Sequence, residues 1–213
     1  MEFIDQQLDD YVCAHTSAES ELLYTLNRDT HVKILQPRML SGHFQGRVLS
    51  MLSSMIKPKR ILELGTYTGY SALCLLEGLQ EGGELITIDC NEELADFTRS
   101  YLDKHPRNKD VKTLVGDAII LIQQLEGDFD LVFIDADKDN YLNYYKLLIE
   151  RVPSGAYIVA DNVLWSGKVI QEVSPNDKDT QAILEFNAFI HADTRVENVL
   201  FPIRDGLFII RKK

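Results

Sequence analysis

The stretch Arg60-Ile61-Leu62-Glu63-Leu64-Gly65-Thr66-Tyr67-Thr68-Gly69-Tyr70-Ser71 decides the fold. An apolar run (61–64) feeds a turn with two glycines, and a helical apolar pattern (70–79) follows at once. That is a strand, a turn and a helix in immediate succession, and the same rhythm continues. Apolar runs at 85–88, 111–115, 131–134 and 156–160 alternate with helical segments at 91–103, 118–125 and 141–150. Such alternation means βαβ units around a parallel sheet buried on both faces. A last helix at 180–191 precedes strand-like runs at 196–203 and 207–211, separated by Arg204-Asp205-Gly206. Asp-Gly signals a tight hairpin, so a seven-stranded, mostly parallel sheet should finish with an antiparallel pair.

Upstream of residue 60 the pattern is helical. Phe3, Ile4, Leu8, Tyr11 and Val12 share one helical face. Thr16 and Glu19 have capping-box spacing ahead of Leu22, Leu23 and Leu26. Val48, Leu49, Leu52, Met55 and Ile56 form a third stripe closed by Lys57-Pro58, and the segment 31–46 between the last two reads as irregular. Repeats, linkers and low-complexity tracts do not interrupt the chain. The expectation is one domain over 1–213, with a helical cap (1–59) on an α/β core (60–213).

Composition sets the outer bounds. With 213 residues, 45% of them hydrophobic, the chain has ample apolar content for a packed core. A net charge of −11 argues against broad attraction to nucleic acid or an anionic membrane. The imbalance lies downstream: residues 1–60 carry seven basic and seven acidic side chains, the remainder 15 and 26. Cys13, Cys74 and Cys90 lack metal spacing and read as buried or partly buried free thiols, while the five histidines are scattered. The acidic start MEFIDQQLDD is not a secretory signal, and the chain lacks an apolar window long enough to span a bilayer. A cytoplasmic location is the expectation.

In an open α/β sheet, ligands bind beyond the carboxyl ends of the strands. The first such end has the position of a dinucleotide fingerprint but reads G-x-x-x-G, from Gly65 to Gly69. The dinucleotide pattern cradles a pyrophosphate, whereas Glu63 just before this turn would disfavour an anion. Asp89 ends the second strand, where a carboxylate can accept both ribose hydroxyls. Asp117, in Gly116-Asp117-Ala118 after the third strand, adds an acid where adenine would lie. A cationic nucleoside without phosphates fits this set: S-adenosylmethionine. The plainer alternative is a structural glycine turn with incidental acids.

A second group of oxygens follows. The fourth strand ends at Asp135 and the fifth at Asp161-Asn162, neighbours in this topology. Oxygen-only donors suit Mg²⁺, Mn²⁺ or Ca²⁺ rather than zinc. Singly, each pair reads more simply as a turn cap or a solvated strand end; together, beside a cationic cofactor, they favour the metal. Lys138 lies three residues after Asp135. Near a divalent cation its ammonium form would be disfavoured, giving it the character of a usable base.

The chain resembles the cation-dependent class I O-methyltransferases of the caffeoyl-coenzyme A and catechol group, bacterial members included. The resemblance rests on 63–71, Ile88-Asp89, Gly116-Asp117-Ala118, Phe133-Ile134-Asp135-Ala136-Asp137-Lys138 with Tyr141, 161–167, 183–187, and Pro202-Ile203 with Asp205-Gly206. These segments run in family order over nearly the whole chain, with residues 1–38 outside the detailed match. The resemblance implies a Rossmann-like class I methyltransferase fold and a homodimer. It also implies a cofactor site of Glu63, Gly65, Thr66, Ser71, Asp89 and Ala118, with Ser41 contributed from the N-terminal region. Asp135, Asp161 and Asn162 match the metal ligands, Asp135 bordering the cofactor too, and Lys138 aligns with the lysine taken as general base. Asp137 follows the caffeoyl-type pattern. Trp165 and Ser166 are the candidates for lining the acceptor pocket beside Lys138. Glu185 and Asn187 read as fold or interface residues more readily than catalytic ones. The departure is Leu40-Ser41-Gly42-His43-Phe44-Gln45-Gly46, which lacks the family's acid-containing pattern and bears on acceptor identity.

Three functions compete. The leading one is metal-dependent methyl transfer from S-adenosylmethionine to a hydroxyl of a small vicinal diol, a catechol. The second, also drawn from relatives, is methylation of a hydroxylated wobble uridine in tRNA, which the net charge opposes. The third, a nucleoside-binding regulatory domain, gives no reason for the oxygen cluster and Lys138.

Overall fold

The computed structural model describes residues 5–213, and Phe3 and Ile4 of the first helical stripe lie outside them. Three helices come first: α1 (Gln6–Ala14), α2 (Glu21–Lys33) and α3 (Gly42–Ile56). Alternation then begins with β1 (Arg60–Leu64), α4 (Tyr70–Leu76), β2 (Glu84–Asp89) and α5 (Ala95–Leu102). It continues through β3 (Val111–Val115), α6 (Ala118–Gln124), β4 (Leu131–Ile134), α7 (Tyr141–Leu148) and β5 (Tyr157–Asp161). The chain closes with α8 (Lys178–Ala192), β6 (Val196–Phe201) and β7 (Leu207–Lys212).

The strands form one sheet in the order β3-β2-β1-β4-β5-β7-β6. The first five are mutually parallel, whereas β7 runs antiparallel to both β5 and β6. Because successive strand side chains point to opposite faces, Ile61, Leu85, Leu131 and Phe133 pack with α2–α5, while Leu62, Ile86, Val132 and Ile134 pack with α6–α8. That double burial explains the continuous apolar runs. The order reverses at β1, between β2 and β4, so the carboxyl ends of those strands open a crevice.

Corrections to the reading concentrate in the helical cap. The N-cap of α2 is Ser20, whose Oγ accepts from Leu23 N, and Thr16 and Glu19 do not form the expected box. Thr16 donates back to Val12 O, while Glu19 accepts from the Tyr70 hydroxyl, a partner 51 residues away. The segment 31–46 is less irregular than expected, because α2 runs to Lys33 and α3 starts at Gly42. Among the described residues α1 buries none of its side chains, and Leu8 and Tyr11 of its apolar stripe are exposed. Cys74 is buried but Cys90 is exposed. The β6–β7 connection spans five residues, 202–206, rather than the three read at 204–206, with Arg204 and Gly206 both left-handed. A Cβ on Gly206 would lie 2.6 Å from Leu164 Cγ, so only glycine lets this turn pack on the loop after β5.

Candidate active site

The turn after β1 is shaped by contact with its neighbour. Gly65 has φ +97°, and a Cβ there would sit 1.9 Å from the Asp135 carbonyl oxygen. The ladder continues through it, with Gly65 N donating to Ile88 O and Asp135 N to Leu64 O, each at 2.8 Å. Gly69, also left-handed, closes the turn by donating to Thr66 O. Asp89 orders the loop, since its Oδ2 accepts from Tyr67 N at 2.6 Å and its Oδ1 from Asn91 N at 2.8 Å. The Tyr67 amide is thereby committed to a carboxylate, not free for a phosphate. Asp117 caps α6 through Oδ1, which accepts from Ile119 N and Ile120 N.

These strand ends surround a cavity of about 1730 Å³, larger than one small ligand needs. Ser41, Gly65, Thr66, Ser71, Asp89, Asp117, Ala118 and Asp135 line one stretch of it. Lys138, Asp161, Asn162, Trp165 and Ser166 line another. Every site residue expected from the sequence is therefore on this wall except Glu63. Glu63 is completely buried behind it, where Oε2 accepts from the Thr87 hydroxyl at 2.5 Å and Oε1 has no hydrogen-bond partner. Burial pushes its carboxyl up to about 8, with the Ser71 and Thr87 hydroxyls opposing the effect and the charges of Asp135 and Asp89 adding to it. Glu63 is thus a neutral acid near pH 7, not the exposed cation-seeking carboxylate that its position before the turn suggested.

The second cluster is built around Lys138, buried at 8% exposure. Its Nζ donates to Asn162 Oδ1 at 3.0 Å, Asp135 Oδ1 at 3.4 Å and the Tyr141 hydroxyl. It also lies 4.4 Å from the Tyr141 ring centroid and 5.7 Å from that of Trp165. Tyr141 is fully buried and its hydroxyl donates to Asp161 O at 3.0 Å, so it braces both the lysine and the β5 terminus. Asp161 is 3% exposed, and burial followed by the charge of Asp135 raises its pKa. Asn162 adopts φ +57°, and its amide N donates to Asp161 Oδ1 at 2.7 Å. One carboxylate and an amide oxygen thus meet on the Lys138 ammonium, and the buried Asp161 carboxylate stands beside them at the end of β5. Among the described residues no group of three or more His, Cys, Asp or Glu side chains is arranged to hold a metal ion, so any cation here would rest on two carboxylates and an amide oxygen.

Three residues of this cluster lay outside the sequence reading of the site. Tyr141 had a signal, three residues beyond Lys138 in the same motif. Gln45 lay in the 40–46 segment that bears on acceptor identity but was given no role of its own, and Arg204 was read only as part of a turn. Gln45 Nε2 donates to Asp161 Oδ2 at 2.5 Å, and Arg204 Nη1 donates to Gln45 Oε1 at 3.3 Å. Glu185 is exposed and outside the cavity, and Asn187 donates to Val163 O at 2.9 Å, a contact that holds the fold.

The sheet order, the glycine turn and the acid-lined crevice define a Rossmann-like methyltransferase. Residues 13–213 match the family model described as O-methyltransferase. Caffeoyl-CoA O-methyltransferase 1 of Eucalyptus globulus is 35% identical over 187 residues, covering 82% of this chain and 75% of that protein. The O-methyltransferase from Bacillus cereus, solved in complex with SAH, superposes with a TM-score of 0.89 at 30% identity over 97% of both chains. The Streptomyces achromogenes O-methyltransferase of tomaymycin synthesis, solved with SAM, gives a TM-score of 0.87 at 26% identity over 97% of this chain and 96% of that one. The chain belongs to the O-methyltransferase family, and is an enzyme that transfers a methyl group to oxygen. No helix of the described residues is long and apolar enough to cross a membrane.

Proposed function

We propose that this enzyme transfers the methyl group of S-adenosylmethionine to one hydroxyl of a small vicinal diol, a catechol, with a divalent cation held by Asp135, Asp161 and Asn162. The observation that carries the reading is the meeting of Asp135 Oδ1 and Asn162 Oδ1 on Lys138 Nζ, with the buried Asp161 carboxylate one residue away, in the cavity that Asp89 and Asp117 also line.

The cofactor suits this wall. Asp89 keeps unused lone pairs on both carboxylate oxygens for ribose hydroxyls. Asp117 and Asp135 give the cavity a negative field that favours a sulfonium cation and opposes a pyrophosphate. The solved relatives bound to SAM and SAH support the same cofactor.

The cation also suits its donors. The charge of Asp135 reaches the buried Asp161 carboxylate and disfavours its ionisation, a cost that a cation bound beside them would offset. Three oxygen donors without sulfur or imidazole match Mg²⁺, Mn²⁺ or Ca²⁺. When bound, the cation supplies a grip on both diol oxygens and lowers the pKa of the reacting hydroxyl.

The rest is done by the chain. Lys138 is the base: its Nζ receives the hydroxyl proton while Tyr141 holds its position. Trp165 lines the cavity beside Lys138, where its ring can pack against the acceptor. The acid-lined crevice brings the methyl donor and the acceptor oxygen together in line. The caffeoyl group named for the plant relatives is itself a catechol, which agrees with this acceptor class. A tRNA acceptor fits poorly, because Asp9, Asp137, Asp139, Asp179 and Asp205 line the same opening and repel phosphates. Incubation with methyl-labelled S-adenosylmethionine, Mg²⁺ and either a catechol panel or total RNA tests the reading. Label in the catechols supports it; label in RNA alone overturns it.

A further inference from the structure

A chain of three side chains, remote from one another in sequence, joins the cation site to the opposite wall of the cavity. Arg204 lies in the β6–β7 turn with φ +49°, a conformation that residues other than glycine seldom adopt. Its Nη1 reaches back to the start of α3, donating to Leu40 O at 3.0 Å, to Ser41 O, and to Gln45 Oε1 at 3.3 Å. Gln45 stands in the first turn of α3 at 1% exposure, and its Nε2 donates to Asp161 Oδ2 at 2.5 Å. The other Asp161 oxygen is held by Asn162 N.

A primary amide can sit either way round, and here one way alone works. With Arg204 donating to Oε1, the NH₂ end must face Asp161. The reverse would set oxygen against carboxylate and donor against guanidinium. Arg204 therefore fixes the direction of the amide, and the amide fixes the direction of the carboxylate. The two carbonyls that Arg204 also binds belong to Leu40 and Ser41, which line the cavity. One guanidinium thus anchors both a stretch of cavity wall and the carboxylate on the far side.

We propose that Gln45 and Arg204 are positioning residues, a hydrogen-bonded relay that presents the Asp161 carboxylate to a divalent cation. This inference rests on the cation reading above. A left-handed arginine fits the proposal, since an unfavourable backbone held in place marks a side chain with a task.

The probe is Mn²⁺ alone, titrated calorimetrically and by its paramagnetic resonance against the full-length protein, with Asp161→Ala as the control. Gln45→Leu and Arg204→Gly should each weaken Mn²⁺ binding roughly 10–100-fold, the range for losing a group that orients a metal ligand. Arg204→Gly relieves the left-handed backbone but loses the bonds to Leu40 O, Ser41 O and Gln45 Oε1, so its thermal midpoint serves only to show that it is folded. A purely structural arginine would leave the Mn²⁺ affinity of the folded variant unchanged. Arg204→Lys, which keeps one donor, should recover part of the binding. Should Gln45→Leu not fold, Arg204→Gly decides the matter alone. Wild-type Mn²⁺ affinity in a folded variant overturns the relay and leaves the cation site standing. Absence of Mn²⁺ binding by the wild type overturns the cation reading and the relay with it.

Discussion

Replacing Glu63 by glutamine should change how stability depends on pH. Glu63 is fully buried with one carboxylate oxygen lacking a partner, and its pKa stands at about 8 against an ordinary 4.5. Below the ordinary value, both the folded and the unfolded chain hold the proton, and this group is neutral to stability. Between 4.5 and about 8 only the folded state keeps it, so stability falls as pH rises. Above about 8 both states are ionised and the loss is complete. At about 1.4 kcal/mol per pH unit, the window amounts to at most about 5 kcal/mol. Glu63→Gln stays neutral and keeps an acceptor for the Thr87 hydroxyl. Its stability relative to wild type should therefore climb steadily between about pH 5 and pH 8. Urea titrations of both proteins across that range, without ligand, measure the difference. A cationic cofactor in the adjoining crevice favours the ionised acid. Binding of S-adenosylmethionine near neutral pH should then release a proton, seen as a buffer-dependent enthalpy that Glu63→Gln lacks. Parallel stability curves for the two proteins would refute the burial argument.

Three further outcomes follow from the same geometry. Asp89→Ala should weaken S-adenosylmethionine binding by about 1–3 kcal/mol, the cost of unmet hydroxyl partners, with or without chelator; unchanged calorimetric affinity would remove the ribose assignment. Lys138→Ala should slow transfer about 10²–10⁴-fold while Mg²⁺ binds at least as well, because the ammonium no longer competes for Asp135 and Asn162; a rate near wild type at neutral pH would contradict its role as base. Gly65→Ala should destabilise the fold by roughly 2–4 kcal/mol, combining a left-handed alanine with the loss of the Asp135 N to Leu64 O bond. Equal denaturation midpoints would show that β1 and β4 tolerate separation there.

The strands were legible because burial on both faces leaves uninterrupted apolar runs. β3 and β4 coincide with the runs read at 111–115 and 131–134. Strand-end acids were legible for a related reason, since topology alone brings the end of β4 beside that of β5. The helical cap was harder. Ser20 and Thr16 offer similar local chemistry, and the choice between them depends on Glu19 being taken by Tyr70, a tertiary contact. Glu63 carries no local mark of its depth, which arises when α4 and its neighbours close over β1. Gln45 reads as one polar residue of an irregular segment, and Arg204 as a turn residue. They become part of the site only when the two ends of the chain meet, 159 residues apart.

The central claim is that Lys138 takes the proton of one hydroxyl of a vicinal diol at a site where Asp135, Asp161 and Asn162 would hold a divalent cation that acidifies it. The most direct measurement is the rate at which labelled methyl moves from S-adenosylmethionine to catechol and to phenol, each with Mg²⁺ and with excess chelator. Catechol with Mg²⁺ should react well, phenol poorly, and chelator should stop the catechol reaction while the protein stays folded. Equal rates for phenol and catechol, or full activity in chelator, would contradict the account.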